Sequence, residues 1–310
     1  DLKPENILID KNLFPKICDF GISKNEEVNY RKCMKFEGTP AYIAPETWES
    51  NKYLFASDVY AFSLIIYEIV TGEKPFGDIN LVGILANILH KKRPKIPSQV
   101  PQCYKILIEK CWLEEPKDRP TFSEIVHQLQ TDESFFKNPL INEDEYFNYI
   151  QLIDDNIDNN IQENLEICDS IEVVDIHNFS KKEKLGEGTF GKTYKISNAI
   201  TNKEYAAKIL RNEFILLHEN EKINIQREIE IFSNVQFESI NKFIGISKID
   251  FKNRNRLVII SELVNNGSLK ELLDLDKDIL SAANWNNTKK MIIIYGIASG
   301  MKYLHSSYII

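Results

Sequence analysis

Gly186-Glu-Gly188-Thr-Phe-Gly191 is followed 17 residues later by Lys208, while Asp1, Lys3, Asn6 and Asp19 crowd the opposite end of the chain. Glycines at this spacing let backbone N–H groups approach phosphate oxygens, because no Cβ stands in the way. By itself the pattern also fits a plain glycine-rich hairpin or a dinucleotide-binding turn. Its context narrows the choice: residues 181–185 and 193–197 on either side read as β-strands, whereas a dinucleotide site needs a helix after the turn. Lys208 closes Tyr205-Ala-Ala-Lys208 in the next strand. There a flexible point charge can meet phosphates while a carboxylate steadies it.

Two sets of elements must position these groups. Residues 1–131 read as loop and short strands (6–10 and 15–17), then as helices. A dense apolar run over 56–71 ends at Thr71-Gly72, and helical stretches follow near 81–91, 101–111 and 121–130. Thr121 and Glu124 have the spacing of a capping box. Residues 179–310 reverse that order. Strands over 181–185, 193–197 and 204–210 precede a helix over 219–234, strands near 244–251 and 256–262, and helices over 268–273 and 287–305.

Between the two lies an acidic, Asn-rich stretch. From Thr131 to Asn178 there are 13 acidic residues and one lysine, within a chain whose net charge is −8. Residues 132–178 are expected to be a partly disordered linker, although Phe135-Phe136 and the cluster at 146–153 can dock as short helices. No basic stripe with interleaved aromatics argues for nucleic acid, and no apolar run is long enough for a membrane span. The five scattered cysteines lack metal-ligand spacing and read as reduced thiols of a cytoplasmic protein. The first residue is Asp rather than Met, so the expectation is a piece of a longer chain.

In order and spacing, these motifs resemble the protein kinase family. The quoted stretches are Asp1-Leu-Lys-Pro-Glu-Asn6, Asp19-Phe-Gly21, Ala44-Pro-Glu46, the glycine turn, Tyr205-Ala-Ala-Lys208, Arg227-Glu-Ile-Glu-Ile-Phe232 and Leu257-Val-Ile-Ile-Ser-Glu-Leu-Val264. Lys3 within the first favours the Ser/Thr type, and Cys111-Trp-Leu-Glu-Glu-Pro-Lys-Asp-Arg-Pro120 is similar to the tyrosine-kinase-like group. The resemblance implies an α+β two-lobe fold, with a five-stranded antiparallel N-lobe sheet and a mainly helical C-lobe. The lobes come in permuted chain order: C-lobe at 1–131, linker at 132–178, N-lobe with hinge and first C-lobe helices at 179–310.

By the same resemblance the activity is phosphoryl transfer from Mg-ATP to a Ser/Thr hydroxyl of a protein substrate. Asp1 would accept the hydroxyl proton, Lys3 would neutralise the transferring group, and Asn6 with Asp19 would hold Mg²⁺, for which oxygen donors are suited. Gly186, Gly188, Phe190 and Gly191 would cover the phosphates, and Lys208 would pair with Glu228 rather than with Glu230. Ser261 falls at the gatekeeper position, the backbones of Glu262 and Val264 at the adenine edge, and Thr193, Ala206 and Leu8 around the adenine plane. Asp58 would bond the catalytic-loop backbone, Glu46 and Arg119 would form a buried ion pair, and Phe20, Phe232 and Ile249 would stack in a spine. Ser23, Tyr30 and Thr39 carry the hydroxyls of the activation segment.

The His-Arg pair that precedes the catalytic Asp in this family is absent before Asp1. The competing expectation is therefore a nucleotide-binding scaffold without catalysis. Two arrangements fit the order of motifs: neighbouring domains of a tandem kinase, or lobes that close on each other within one chain or by exchange between chains.

Overall fold

The computed structural model describes residues 2–20, 40–50, 53–77, 79–163, 171–188, 191–275 and 285–309. Strands β1 (Ile7–Ile9) and β2 (Pro15–Ile17) pair as a short antiparallel hairpin. Helices α1 (Pro45–Ser50), α2 (Phe55–Thr71), α3 (Leu81–Leu89), α4 (Gln102–Cys111) and α5 (Phe122–Thr131) follow. Helix α2 is buried almost all round, as its dense apolar sequence requires, and ends where Gly72 takes a left-handed φ of 70°. The capping box of α5 forms: Thr121 Oγ1 accepts from the Glu124 N–H at 3.2 Å, and Glu124 Oε2 from the Thr121 N–H at 2.7 Å.

The acidic stretch departs from the expected linker. It contributes α6 (Glu133–Phe136) and α7 (Glu143–Glu163). Tyr146, Tyr149, Ile150 and Ile153 recur at i, i+3, i+4 and i+7 and are all buried. Average composition conceals this stripe, because the carboxylates occupy the other faces. Specific bonds fasten the helix: the Tyr146 hydroxyl donates to Leu129 O (3.0 Å), the Asn142 N–H to Thr288 Oγ1 (2.8 Å), and Lys289 Nζ lies 2.7 Å from Glu145.

The rest of the chain begins with β3 (Phe179–Glu187), β4 (Gly191–Asn198) and β5 (Glu204–Leu210), then helix α8 (Glu219–Asn234), β6 (Phe243–Ser247) and β7 (Val258–Glu262). The strands form one antiparallel sheet in the order β3-β4-β5-β7-β6. Strand alternation sorts its two faces. Ile196, Ala207, Val258 and Ile260 point to one side and pack with Ile176 into a small core. The opposite parity brings Thr193, Ala206, Lys208, Ile259 and Ser261 to the other side, through the pairs Thr193–Lys208, Ala206–Ser261 and Lys208–Ile259. Residues 172–174 cover the β6 edge, with the Val174 N–H bonded to Ile246 O at 2.8 Å.

Strand β6 stops at Ser247, short of the expected 251. The cause is a local turn: the buried Asp250 carboxylate accepts from the Lys252 and Arg254 N–H groups and from Arg254 Nε at 2.8 Å. Helices α9 (Leu269–Leu273) and α10 (Asn287–Ser306) end the chain. Helix α10 packs against α5, α7, α2 and β2. A Cβ at Gly296 would lie 2.5 Å from Pro15 and 2.3 Å from the Tyr149 hydroxyl, so glycine is what lets the neighbours reach its backbone. One hydrophobic core runs through elements from both ends of the chain. Backbone bridges Ile17–Ile240 and Leu8–Ser268 stitch them together.

Candidate functional site

Lys208 of β5 stands at the centre of the site. Its Nζ lies 2.7 Å from Glu228 Oε1 on α8 and 3.1 Å from Asp19 Oδ1 just past β2. The Glu228 side chain is only 6% exposed, whereas Glu230 faces solvent. Burial alone would lower the lysine pKa, but the carboxylates of Asp19 and Glu228 outweigh it and hold the ammonium above its ordinary value. Asp19 reaches this position with a left-handed φ of 66°, a region that Asp tolerates better than most residues.

Next to Asp19, the Cys18 N–H donates to the Asn6 carbonyl at 2.9 Å, which keeps Asn6 and Asp19 side by side. Lys3 is pulled below its ordinary pKa by burial, against the opposing charges of Glu5 and Asp19. Phe20 is buried against Phe232, with ring centroids 5.6 Å apart. The spine expectation needs one correction: Phe243, 5.4 Å from Phe232, is the next ring. Ile249 instead packs with Ile176 and Val258 on the far face of the sheet, because the turn after Ser247 carries it away.

The glycines differ in what they do. A Cβ at Gly191 would lie 2.3 Å from the Ile209 carbonyl, so this glycine permits close strand approach, whereas Gly186 and Gly188 face open space. Gly191→Ala is expected to lower stability by about 1–3 kcal/mol. Gly186→Ala should leave the thermal midpoint near that of the parent. Thermal unfolding of the two variants checks the contrast; equal midpoints would contradict it. Arg211, which sequence reasoning passed over, bonds Glu187 at 3.0 Å and Gly188 O at 3.1 Å and so clips the loop.

Along β7, Ser261 sits opposite Ala206, and Glu262 opposite Tyr205. The Glu262 N–H donates to Lys242 O at 2.9 Å, and its carbonyl accepts from the Ser261 hydroxyl at 3.4 Å. Its side chain accepts from the Lys242 N–H at 2.9 Å and lies 3.8 Å from Lys16 Nζ, which pairs more closely with Glu238 at 2.9 Å. Leu8 of β1 bridges to Ser268, and the neighbouring Ile9 exchanges backbone bonds with Asn266 and Gly267. Asp58 has a partner the sequence did not reveal: its Oδ2 lies 3.0 Å from His305 Nε2, and that ring packs on Phe55 and Phe122. A histidine in the last turn of this helix was the available signal. Glu46 and Arg119 form the expected buried pair, doubly bonded at 2.8 and 2.9 Å. Asp1, Phe190, Ser23, Tyr30 and Thr39 lie outside the described residues.

Buried Glu68 on α2 accepts a hydrogen bond from the Tyr42 hydroxyl. Burial lifts its pKa from 4.5 to about 7, against the opposing effects of Tyr42 and Lys270. A carboxyl raised on folding adds stability below its unfolded pKa and loses it as pH climbs through the folded value. Stability should therefore fall by up to about 3 kcal/mol between pH 4.5 and 8 on this account. Glu68→Gln should flatten that part of the profile. Denaturant unfolding of parent and variant at both ends of the range tests this, and parallel profiles would refute it.

The donor set suits a nucleotide with a hard divalent ion. Asp19 and Asn6 offer oxygen donors, the kind that hard divalent ions take. The open space at Gly186 and Gly188 leaves room for phosphates near the Lys208 ammonium. Among the described residues no helix is long and apolar enough to cross a membrane.

A five-stranded antiparallel sheet over a helical lobe, with a lysine–glutamate pair beside an aspartate, defines a protein kinase-like fold. Comparison with known families agrees. The protein tyrosine and serine/threonine kinase model matches residues 1–129 and the protein kinase domain model matches residues 179–310, so both parts of the chain fall in protein kinase domain families. A putative serine/threonine-protein kinase/receptor of Acanthamoeba polyphaga mimivirus is 40% identical over 129 residues, which is 42% of this chain and 8% of that protein. A probable LIM domain-containing serine/threonine-protein kinase of Dictyostelium discoideum is 38% identical over 42% of this chain and 13% of its own length. A dual specificity protein kinase of the same organism is 39% identical over 42% of this chain and 18% of its own. The chain thus spans less than a fifth of these relatives.

Proposed function

We propose that the chain carries the machinery of an ATP-dependent Ser/Thr protein kinase of the tyrosine-kinase-like group. The observation that supports this best is the Lys208–Glu228 pair at 2.7 Å with Asp19 beside it. Lys208 orients the α/β-phosphates, and backbone N–H groups around Gly186, Gly188 and Gly191 hold the remaining phosphate oxygens. Thr193, Ala206 and Leu8 enclose the adenine, and the Glu262 carbonyl and Val264 N–H fix its edge. Asn6 and Asp19 would hold Mg²⁺, which when bound would offset phosphate charge. Asp1 takes the proton of a Ser/Thr hydroxyl, and Lys3 stabilises the charge that develops in transfer.

Residues 1–131 and 179–310 act as complementary lobes that close within one chain, in permuted order. The core they share and the Asp19–Lys208 contact support this reading. Incubation with labelled Mg-ATP and mixed acceptor peptides tests the activity: label on serine and threonine is expected. Label on tyrosine would overturn the Ser/Thr assignment. A rise in thermal midpoint with Mg-ATP but no transfer would favour the non-catalytic nucleotide-binding scaffold.

A further inference from the structure

Helix α7 comes from residues 130–178, which neither family match covers, yet it touches both of the matched parts. Its Tyr149 is the point of convergence. The ring packs on Phe14 at 4.4 Å, and the hydroxyl lies over the backbone of Gly296 and 3.3 Å from Ser239 Oγ. Ser239 is completely buried in the loop joining α8 to β6. That loop has other anchors, the Lys16–Glu238 pair and the Ile17–Ile240 bridge among them. The Ile17 N–H donates to Ser239 O at 2.8 Å, and Phe237 stacks on Tyr303 of α10 at 4.9 Å.

From this three-way junction we infer that α7 is an intrachain clamp. Tyr149 is a positioning residue that holds the α8–β6 loop, and through it the Glu228 end of α8, in register with Lys208. The helix is seated before it reaches this loop, by Tyr146 on Leu129, Asn142 on Thr288 and Glu145 on Lys289. Tyr149 extends that seat to an element of the sheet lobe. A buried hydroxyl pair of this kind is costly to break on one side only, since the remaining hydroxyl loses its partner out of reach of water. The clamp's effect on ligand rests on the nucleotide-binding reading above, whereas its effect on the loop does not.

The test uses the full chain and two readouts: hydrogen exchange over residues 228–241, and affinity for Mg²⁺ with a non-hydrolysable ATP analogue. Tyr149→Phe keeps the ring and removes the hydroxyl, so a packing role alone would leave both readouts unchanged. The clamp predicts exchange in the loop faster by about 5-fold or more, and weaker nucleotide binding by a similar factor. Ser239→Ala should do the same. The double variant Tyr149→Phe/Ser239→Ala should exchange no faster than either single variant, because each single change already breaks the one bond they share. Unchanged exchange in both single variants overturns the clamp, as does strict additivity in the double. Faster exchange with unaltered affinity in a nucleotide-binding parent overturns the link to Glu228. A parent that binds no analogue would instead sink the nucleotide reading, and exchange would still decide the clamp.

Discussion

Lys208→Met is expected to cut phosphoryl transfer by about 100- to 1,000-fold, the usual cost of removing one preorganised charge partner from a reacting group. Stability should fall as well. Glu228 is nearly inaccessible and would lose the ammonium 2.7 Å away, leaving a buried carboxylate to face Asp19 with no cation between them. Breaking one side of a buried pair costs about 3–5 kcal/mol, some of it recovered when the carboxyl takes up a proton. Lys208→Met/Glu228→Gln removes both charges, so it should regain much of the stability and none of the activity. Parallel measurement of transfer rate and denaturant unfolding separates the two effects. Activity within a few-fold of the parent in the single variant would remove Lys208 from the mechanism.

The largest pure stability effect is expected at Arg119. Its side chain has no exposure, and it bonds Glu46 through both terminal nitrogens while donating to the carbonyls of Leu113, Ala56 and Glu114. Arg119→Ala strands the Glu46 carboxylate and three carbonyls at once, and a loss of about 3–5 kcal/mol is expected. Arg119→Lys should not rescue it, because an ammonium cannot reproduce the planar fork that meets both carboxylate oxygens. Urea unfolding of the two variants decides this. A midpoint for Arg119→Lys equal to that of the parent would mean that charge alone, without geometry, holds the pair.

How much of this was legible in the chain depends on the kind of signal. Helix α8 was readable end to end from its periodicity, and the Thr121–Glu124 box from its spacing, because both are local. In the acidic stretch the docking clusters at 135–136 and 146–153 were legible, but not the 21-residue length of α7. Thirteen acids dominate its composition, but four apolar residues on one stripe decide where α7 goes. The extent of β6 was overestimated because apolar residues continue past Ser247, while a single carboxylate, Asp250, folds the backbone into a turn there.

The sequence by itself determined the chemical inventory: a glycine turn between strands, a lysine one strand later, a glutamate on the next helix, and oxygen donors at Asn6 and Asp19. Residue type and spacing carry such information because each group serves its own local backbone. Tertiary structure alone decided which of these groups meet. Asp19 and Lys208 are 189 residues apart, Lys16 and Glu238 are 222 apart, and Asp58 and His305 are 247 apart. At those separations contact depends on how helices and strands cross. The physical reason is packing: the apolar faces of α2, α5, α7 and α10 are buried in one shared core, and that burial fixes the distances between polar groups that no spacing in the chain encodes.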